Sequence, residues 1–293
     1  LVKLSDWSDD NPAENVMPRL LSDEQVNCFK TQGHVSPVPI IGQQEAEDYR
    51  NSLEQYEREL GHPVQGPLRT KPHLMFTWVD QLMRNSTVLD CIEDLIGPDI
   101  LCWNSWFWIK EGNTTSYVSW HQDSQYWGLD TRHLVTAWIA LSPANEESGC
   151  MRVLPGSHLG EPLEHVDLYH DDNLLTRGQE ILTIDESQAV SMPLKTGEMS
   201  FHNISIAHAS APNQTSDRRI GLSFHYMPTA TKQLKSEWDC AALVRGSDEF
   251  KNFEHTPAPT TDFDPITMAY HERATQVMRD ILFQGAEKVR PTI

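Results

Sequence analysis

The chain has 293 residues, and its 23 lysines and arginines stand against 42 aspartates and glutamates, a formal net charge of −19 with neutral histidines. So acidic a surface repels nucleic-acid phosphates and anionic lipid headgroups, so neither nucleic acid nor membrane is expected as a partner, and a small molecule is. Hydrophobic residues make up 39%, enough for one sizeable core, while no run approaches the ~18 apolar residues that span a bilayer.

The opening residues, Leu1 to Asp10, are polar and acidic, unlike a secretory signal, although a chain that begins at Leu1 leaves its true start open. There is no internal repeat, low-complexity block or linker, so residues 1–293 read as one domain, of open oligomeric state. Its helical part covers about 20–97, its strand-rich core about 100–228 and its extension 229–293. Ser22 followed by Gln25 has capping-box spacing and predicts a helix start. Gly42 and Gly61 enclose a charged amphipathic helix, with Ala46, Tyr49, Leu53, Tyr56 and Leu60 near one face. A third helix is expected over 87–96, stopping at Gly97-Pro98.

Strands are expected over 100–110, 117–123, 134–141, 150–154, 189–194, 199–209 and 219–227, separated by turn chemistry such as Gly112-Asn113, Pro155-Gly156 and Thr196-Gly197. Short strands at this spacing indicate a sandwich or barrel. The acidic stretch 159–180 is expected as a lid or surface loop. The chain after Met227 reads as irregular, closed by a helix over 268–283. Five scattered cysteines, Cys28, Cys91, Cys102, Cys150 and Cys240, lack a CxxC pair and fit buried thiols in a cytoplasmic protein.

His-x-Asp on a strand places two metal ligands on one side, because residues i and i+2 point the same way. The motif occurs as His121-Gln122-Asp123, His165-Val166-Asp167 and His170-Asp171-Asp172. The last two fall in the acidic loop and read as solvated. His121 and Asp123 follow a strand flanked by aromatic residues and are the expected ligands of a two-histidine, one-carboxylate iron site. His202 and His208 compete for the third position. If residues 204–210 and 219–227 form a hairpin centred between Asn213 and Gln214, Arg219 stands opposite His208, ready to receive a carboxylate. His202 has no arginine at that offset.

The set Trp120-His121-Gln122-Asp123, then Ser148-Gly149-Cys150-Met151-Arg152-Val153-Leu154-Pro155-Gly156-Ser157-His158, then His208-Ala209-Ser210-Ala211-Pro212-Asn213 with Arg219, resembles the phytanoyl-CoA dioxygenase family over residues 21–227. The resemblance implies a mainly β fold with flanking α, a double-stranded β-helix (jelly roll, cupin-like) carrying N-terminal and C-terminal helices. It implies Fe(II) on His121, Asp123 and His208, O2 as oxidant, and 2-oxoglutarate with its far carboxylate on Arg219 and Ser210. Asn104, Gln122 and Trp138 match positions that line the cosubstrate in relatives. Halogenating relatives lack the carboxylate that Asp123 supplies, so hydroxylation is the implied outcome.

Nine tryptophans are present, six of them between Trp103 and Trp138, and most are expected in the core. An aromatic box would also suit an ammonium head. Trp106, Tyr117, Ser119, Tyr126, Trp127 and His202 are therefore the candidate substrate residues, for a zwitterion such as an aminoalkylphosphonate, betaine or amino acid derivative. Arg132, His133 and Arg218 could receive an acid group. The competing expectations are an acyl-CoA hydroxylase of the same family and a jelly-roll binding protein without catalysis.

Overall fold

The structure, a computed structural model, describes residues 20–289; the acidic opening Leu1–Asp10 lies outside them. The capping box forms, with Gln25 N–H donating to Ser22 Oγ at 3.2 Å and Ser22 N–H to Gln25 Oε1 at 2.9 Å. It starts α1 (Asp23–Gln32), which ends on left-handed Gly33. Helix α2 (Gln43–Leu60) runs between Gly42 and Gly61 as expected. Helix α3 (Thr77–Met83) was not anticipated, and α4 (Ser86–Ile96) is capped by Asn85. The closing helix α5 (Pro265–Phe283) begins three residues before the expected start, because Asp264 caps it and Pro265 suits its first turn. No helix among the described residues is long and apolar enough to cross a membrane.

The strands are β1 (His34–Pro39), β2 (Ile100–Lys110), β3 (Val118–His121), β4 (Val135–Ala140), β5 (Met151–Val153), β6 (Val166–Asp167), β7 (Gln179–Glu180), β8 (Val190–Met192), β9 (Glu198–Asn203), β10 (His208–Ser210), β11 (Arg219–Pro228), β12 (Cys240–Arg245) and β13 (Glu254–His255). They form a seven-stranded sheet in the order β1-β9-β4-β11-β2-β12-β13 and a four-stranded sheet in the order β3-β10-β5-β8. Residues of both sheets wall one cavity, the jelly-roll arrangement expected. The expected strand over 199–209 is two strands, β9 and β10, in different sheets. Strand β1 was missed because Pro37 and Pro39 argue against a strand; an edge position, where an N–H is dispensable, tolerates them. Strand β12 occupies part of the tail expected to be irregular.

Strand β11 organises the large sheet. Ile220, Leu222, Phe224 and Tyr226 join the core shared with α1 to α4. The alternate residues turn to the other face, where His225 lies between Thr136 and Asn104, Ser223 between Trp138 and Trp106, and Gly221 between Ala140 and Trp108. Arg219 stands opposite Lys110.

The expected hairpin does not form. Strand β10 pairs with β3 and β5, whereas β11 pairs with β2 and β4. The corner over 211–218 carries the chain from the small sheet to the large one. Buried Asn213 stitches that corner down, its Nδ2 donating to the carbonyls of Lys110, Glu111 and Asp217 at 3.3, 3.1 and 2.8 Å. Arg50 pairs with Asp217 at 2.7 Å, and Arg218 with Glu57 at 2.6 Å and Glu111 at 2.9 Å. These pairs commit Arg218 to holding the corner on α2, where an acid-receiving role had been considered.

Gly221 has a packing reason: a Cβ there would lie 1.7 Å from Trp138 Cζ2. Gly221→Ala is expected to lose about 1–3 kcal/mol of stability by overpacking, read as a lower urea midpoint. An unchanged midpoint would mean that the Trp138 ring yields freely.

Candidate metal centre

Strand β3 ends at His121, Gln122 continues it in extended conformation (φ −120°, ψ 126°), and a 3-10 turn begins at Asp123. The extended backbone through Gln122 keeps the side chains of His121 and Asp123 on one side, as expected of His-x-Asp on a strand. His121 Nε2 lies 3.4 Å from Asp123 Oδ1. Antiparallel pairing sets His208 directly opposite His121, their ring centres 4.1 Å apart. His208 Nε2 is 4.0 Å from Asp123 Oδ2, and one ligand atom from each of the three residues lies within 4.8 Å of the others.

The far side of each ring is fixed by backbone. His121 Nδ1 donates to Ser119 O at 2.9 Å and His208 Nδ1 to Ile206 O at 3.1 Å, which leaves both Nε2 lone pairs free for a metal. Burial, aided by His121, pushes His208 down to about 4, so it is neutral at pH 7. Burial alone would raise Asp123, but the imidazoles around it, His121 at 3.4 Å first among them, draw it down to about 2. Two neutral nitrogens and one carboxylate fit Fe(II) with open positions.

The open side is a cavity between the sheets. Trp108, Thr136, Trp138, His202, Arg219 and His225 line it from the large sheet, and Val118, His121, Met151, His208, Ala209 and Ser210 from the small one, with Asp123 and Trp127 between. Arg219 is buried; its Nη1 donates to Gly149 O at 3.2 Å and its guanidinium lies 5.2 Å from the Trp138 ring centre. Its Nε has no partner, and burial pushes the group down to about 10. No carboxylate among the described residues pairs with it, so a buried cation faces the cavity where a ligand carboxylate fits.

Lys110 was not anticipated. Its Nζ donates to Ser210 Oγ at 2.7 Å, to Ser210 O at 3.1 Å and to Ala211 O. Burial and the adjacent Arg219 charge push this ammonium down. With Lys110 donating to it, the Ser210 hydroxyl can turn its own proton towards the cavity. His225 and Thr136 were missed too, though alternation from Arg219 along β11 points to His225.

Six anticipated residues do not line the cavity. Gln122 Nε2 donates to Ser205 O at 2.6 Å while its Oε1 accepts from Leu163 N at 2.9 Å, so its amide is committed to backbone. Asn104 Oδ1 accepts from Ser105 N, and Ser119 lies between Gln179 O and Asn173 Nδ2. Tyr117 bridges to Asn173, Tyr126 is buried in a second core with Trp103, and Trp106 stacks on Trp108. Of the tryptophans, Trp108, Trp127 and Trp138 reach the cavity.

The acidic loop divides: His170, Asp171 and Asp172 are exposed as expected, whereas His165 and Asp167 are half-buried and tied to the rest of the fold. His165 Nε2 accepts from Gln122 N at 2.9 Å, and Asp167 pairs with Arg177. Ile181 N donates to Trp120 O at 2.8 Å, fixing the end of the loop to β3.

The family model described as phytanoyl-CoA dioxygenase matches residues 16–221. A probable alpha-ketoglutarate-dependent hypophosphite dioxygenase of Stutzerimonas stutzeri is 27% identical over 60% of this chain; the match spans 62% of that relative's length, less than two thirds. A methylphosphonate hydroxylase of Gimesia maris is 24% identical, covering 76% of this chain and 86% of its own. The solved apo structure of the non-heme monooxygenase ThoJ superposes with a TM-score of 0.79 and is 32% identical, over 89% of this chain and 98% of that one.

Two fully buried imidazoles make the fold acid-sensitive. Burial holds His225 down at about 4 and, with Lys71 nearby, His73 well below 6.5. As pH falls from 6.5, the unfolded chain takes up these protons and the folded one does not, so stability drops. The slope is about 1.4 kcal/mol per pH unit for each ring. Urea unfolding of the metal-free protein is expected at a lower midpoint at pH 5 than at pH 7. Equal midpoints would mean that both rings protonate inside the fold.

Proposed function

Because the chain belongs to the phytanoyl-CoA dioxygenase family of iron(II)- and 2-oxoglutarate-dependent oxygenases, we propose that it hydroxylates an unactivated C–H bond of a small polar, zwitterionic metabolite. His121, Asp123 and His208 hold the iron, and Arg219 with Ser210 holds the far carboxylate of 2-oxoglutarate. One observation carries this reading: three ligand atoms within 4.8 Å share a cavity with a buried guanidinium that lacks a carboxylate. Bound iron(II) and 2-oxoglutarate supply the activation of dioxygen and the oxidation of the C–H bond.

The chain's own residues do the positioning. The carbonyls of Ser119 and Ile206 fix the two imidazoles, so the ligands need little reorganisation when the metal arrives. Trp138 packs against Arg219 and keeps water from its charge, which strengthens a carboxylate pair there. Lys110 holds Ser210 as the second donor to that carboxylate. The apolar walls Val118, Met151 and Ala209 exclude water from the reacting carbon.

The names of the two curated relatives support a small, oxygen-rich substrate. Trp108 and Trp127 remain available to an ammonium end. Among the described residues Arg219 is the sole arginine or lysine lining the cavity, which disfavours the polyphosphate handle of an acyl-CoA.

His208→Ala and Asp123→Ala are expected to lose iron(II) binding and to cut succinate release by at least about 100-fold. Removing the charge-assisted pair in Arg219→Met should raise the 2-oxoglutarate requirement by roughly 10- to 100-fold, from a loss of about 1.5–3 kcal/mol. Succinate assays with mass spectrometry across aminoalkylphosphonates, betaines, amino acids and acyl-CoA esters read the substrate. Turnover confined to acyl-CoA would overturn the small-metabolite assignment, and full activity in His208→Ala would overturn the metal assignment.

A further inference from the structure

Beside the metal centre, three polar side chains each leave one buried atom without a partner among the described residues. His202, Thr136 and His225 sit in register on β9, β4 and β11, with Thr136 opposite both histidines. All three line the cavity, and they are 2%, 3% and 2% exposed. His202 Nδ1, Thr136 Oγ1 and His225 Nδ1 have no hydrogen-bond partner. Other buried atoms of the fold also lack partners, but these three share one row of the cavity wall, where a single ligand can satisfy them.

The polarity of the row follows from its neighbours. Trp108 Nε1, which can only donate, bonds Ser223 Oγ at 3.1 Å, and Ser223 Oγ lies 3.2 Å from His225 Nε2. With the indole proton on one of its two lone pairs, the Ser223 hydroxyl can turn its own proton to His225 Nε2, and in that arrangement the imidazole proton stands on Nδ1, the atom without an acceptor. The Thr136 hydroxyl and the neutral His202 ring each bring another donor. Asp123, the cavity's one carboxylate, is already a metal ligand, so a cation at this row would find no counter-ion.

We infer that His202, Thr136 and His225 form the subsite for an oxyacid head, carboxylate or phosphonate, on the prime substrate. Trp127, whose ring centre is 4.5 Å from that of His225, packs on the adjoining apolar part. A zwitterion therefore enters acid end first. The assignment rests on the hydroxylase reading above and adds which end of the substrate the protein grips.

Anaerobic calorimetry on the protein loaded with iron(II) and 2-oxoglutarate tests it, with methylphosphonate, propionate and tetramethylammonium as probes. At least one acid is expected to bind while tetramethylammonium does not; the two acids separate phosphonate from carboxylate preference. Thr136→Val, which keeps the side-chain shape and removes the hydroxyl, should weaken that acid about tenfold, as should His225→Leu. The 2-oxoglutarate affinity of Thr136→Val should stay within twofold of the parent. Binding of tetramethylammonium in place of the acids, or parent-like acid affinity in Thr136→Val, would overturn the subsite. Equal losses for acid and 2-oxoglutarate would assign the row to the cosubstrate and overturn it as well. If the parent fails to take up 2-oxoglutarate with iron(II), the hydroxylase reading itself falls and the subsite with it.

Discussion

The antiparallel pairing of β10 with β3 is the constraint on which the site depends, because it sets His208 opposite His121 across a single ladder. Neither strand is long, and neither would hold its register alone. Strand β10 is fixed on its other side by β5, and the end of the acidic loop is bonded to β3. A one-residue slip would turn one imidazole to the opposite face, so the geometry of the candidate metal centre is a property of the sheet more than of its three residues. Asn213 then delivers Arg219 to the same cavity from the other sheet.

The inner face of the large sheet carries Arg219, Lys110, Ser223, Thr136, His202 and His225, almost all buried. Such a face costs stability. The opposite face offsets that cost with a largely apolar layer under α1 to α4, built from the alternate residues of the same strands. Function and stability are thus divided by the pleat, and β11 shows the division within ten residues: Ile220, Leu222, Phe224 and Tyr226 on one side, Arg219, Gly221, Ser223 and His225 on the other.

Much of this was legible in the sequence. The capping box at Ser22, the helix between Gly42 and Gly61 and most strands carry local signals strong enough to read. Arg219 and His208 were both anticipated at one cavity, though through a hairpin that does not exist. Local turn chemistry at Pro212-Asn213 is the same for a hairpin as for a corner between sheets, and only the long-range bonds of Asn213 to β2 decide between them. Lys110 was passed over because an ammonium at a strand end ordinarily reads as solvated. Gln122 was expected at the cosubstrate from the family resemblance and Ser119 among the substrate residues, yet their side chains are claimed by backbone groups far away in the chain.

Gln122 sits between two of the ligands and touches both structures that frame them. Its N–H is held by His165, its Oε1 by Leu163, and its Nε2 holds Ser205, three residues before His208. It works as a hub with the acidic loop on one spoke and the approach to the third ligand on another. One side chain and its own N–H thus bond the loop to the peptide joining His121 to Asp123 and to the turn before His208, so the length of this loop bears on the candidate metal centre without touching any of its three residues.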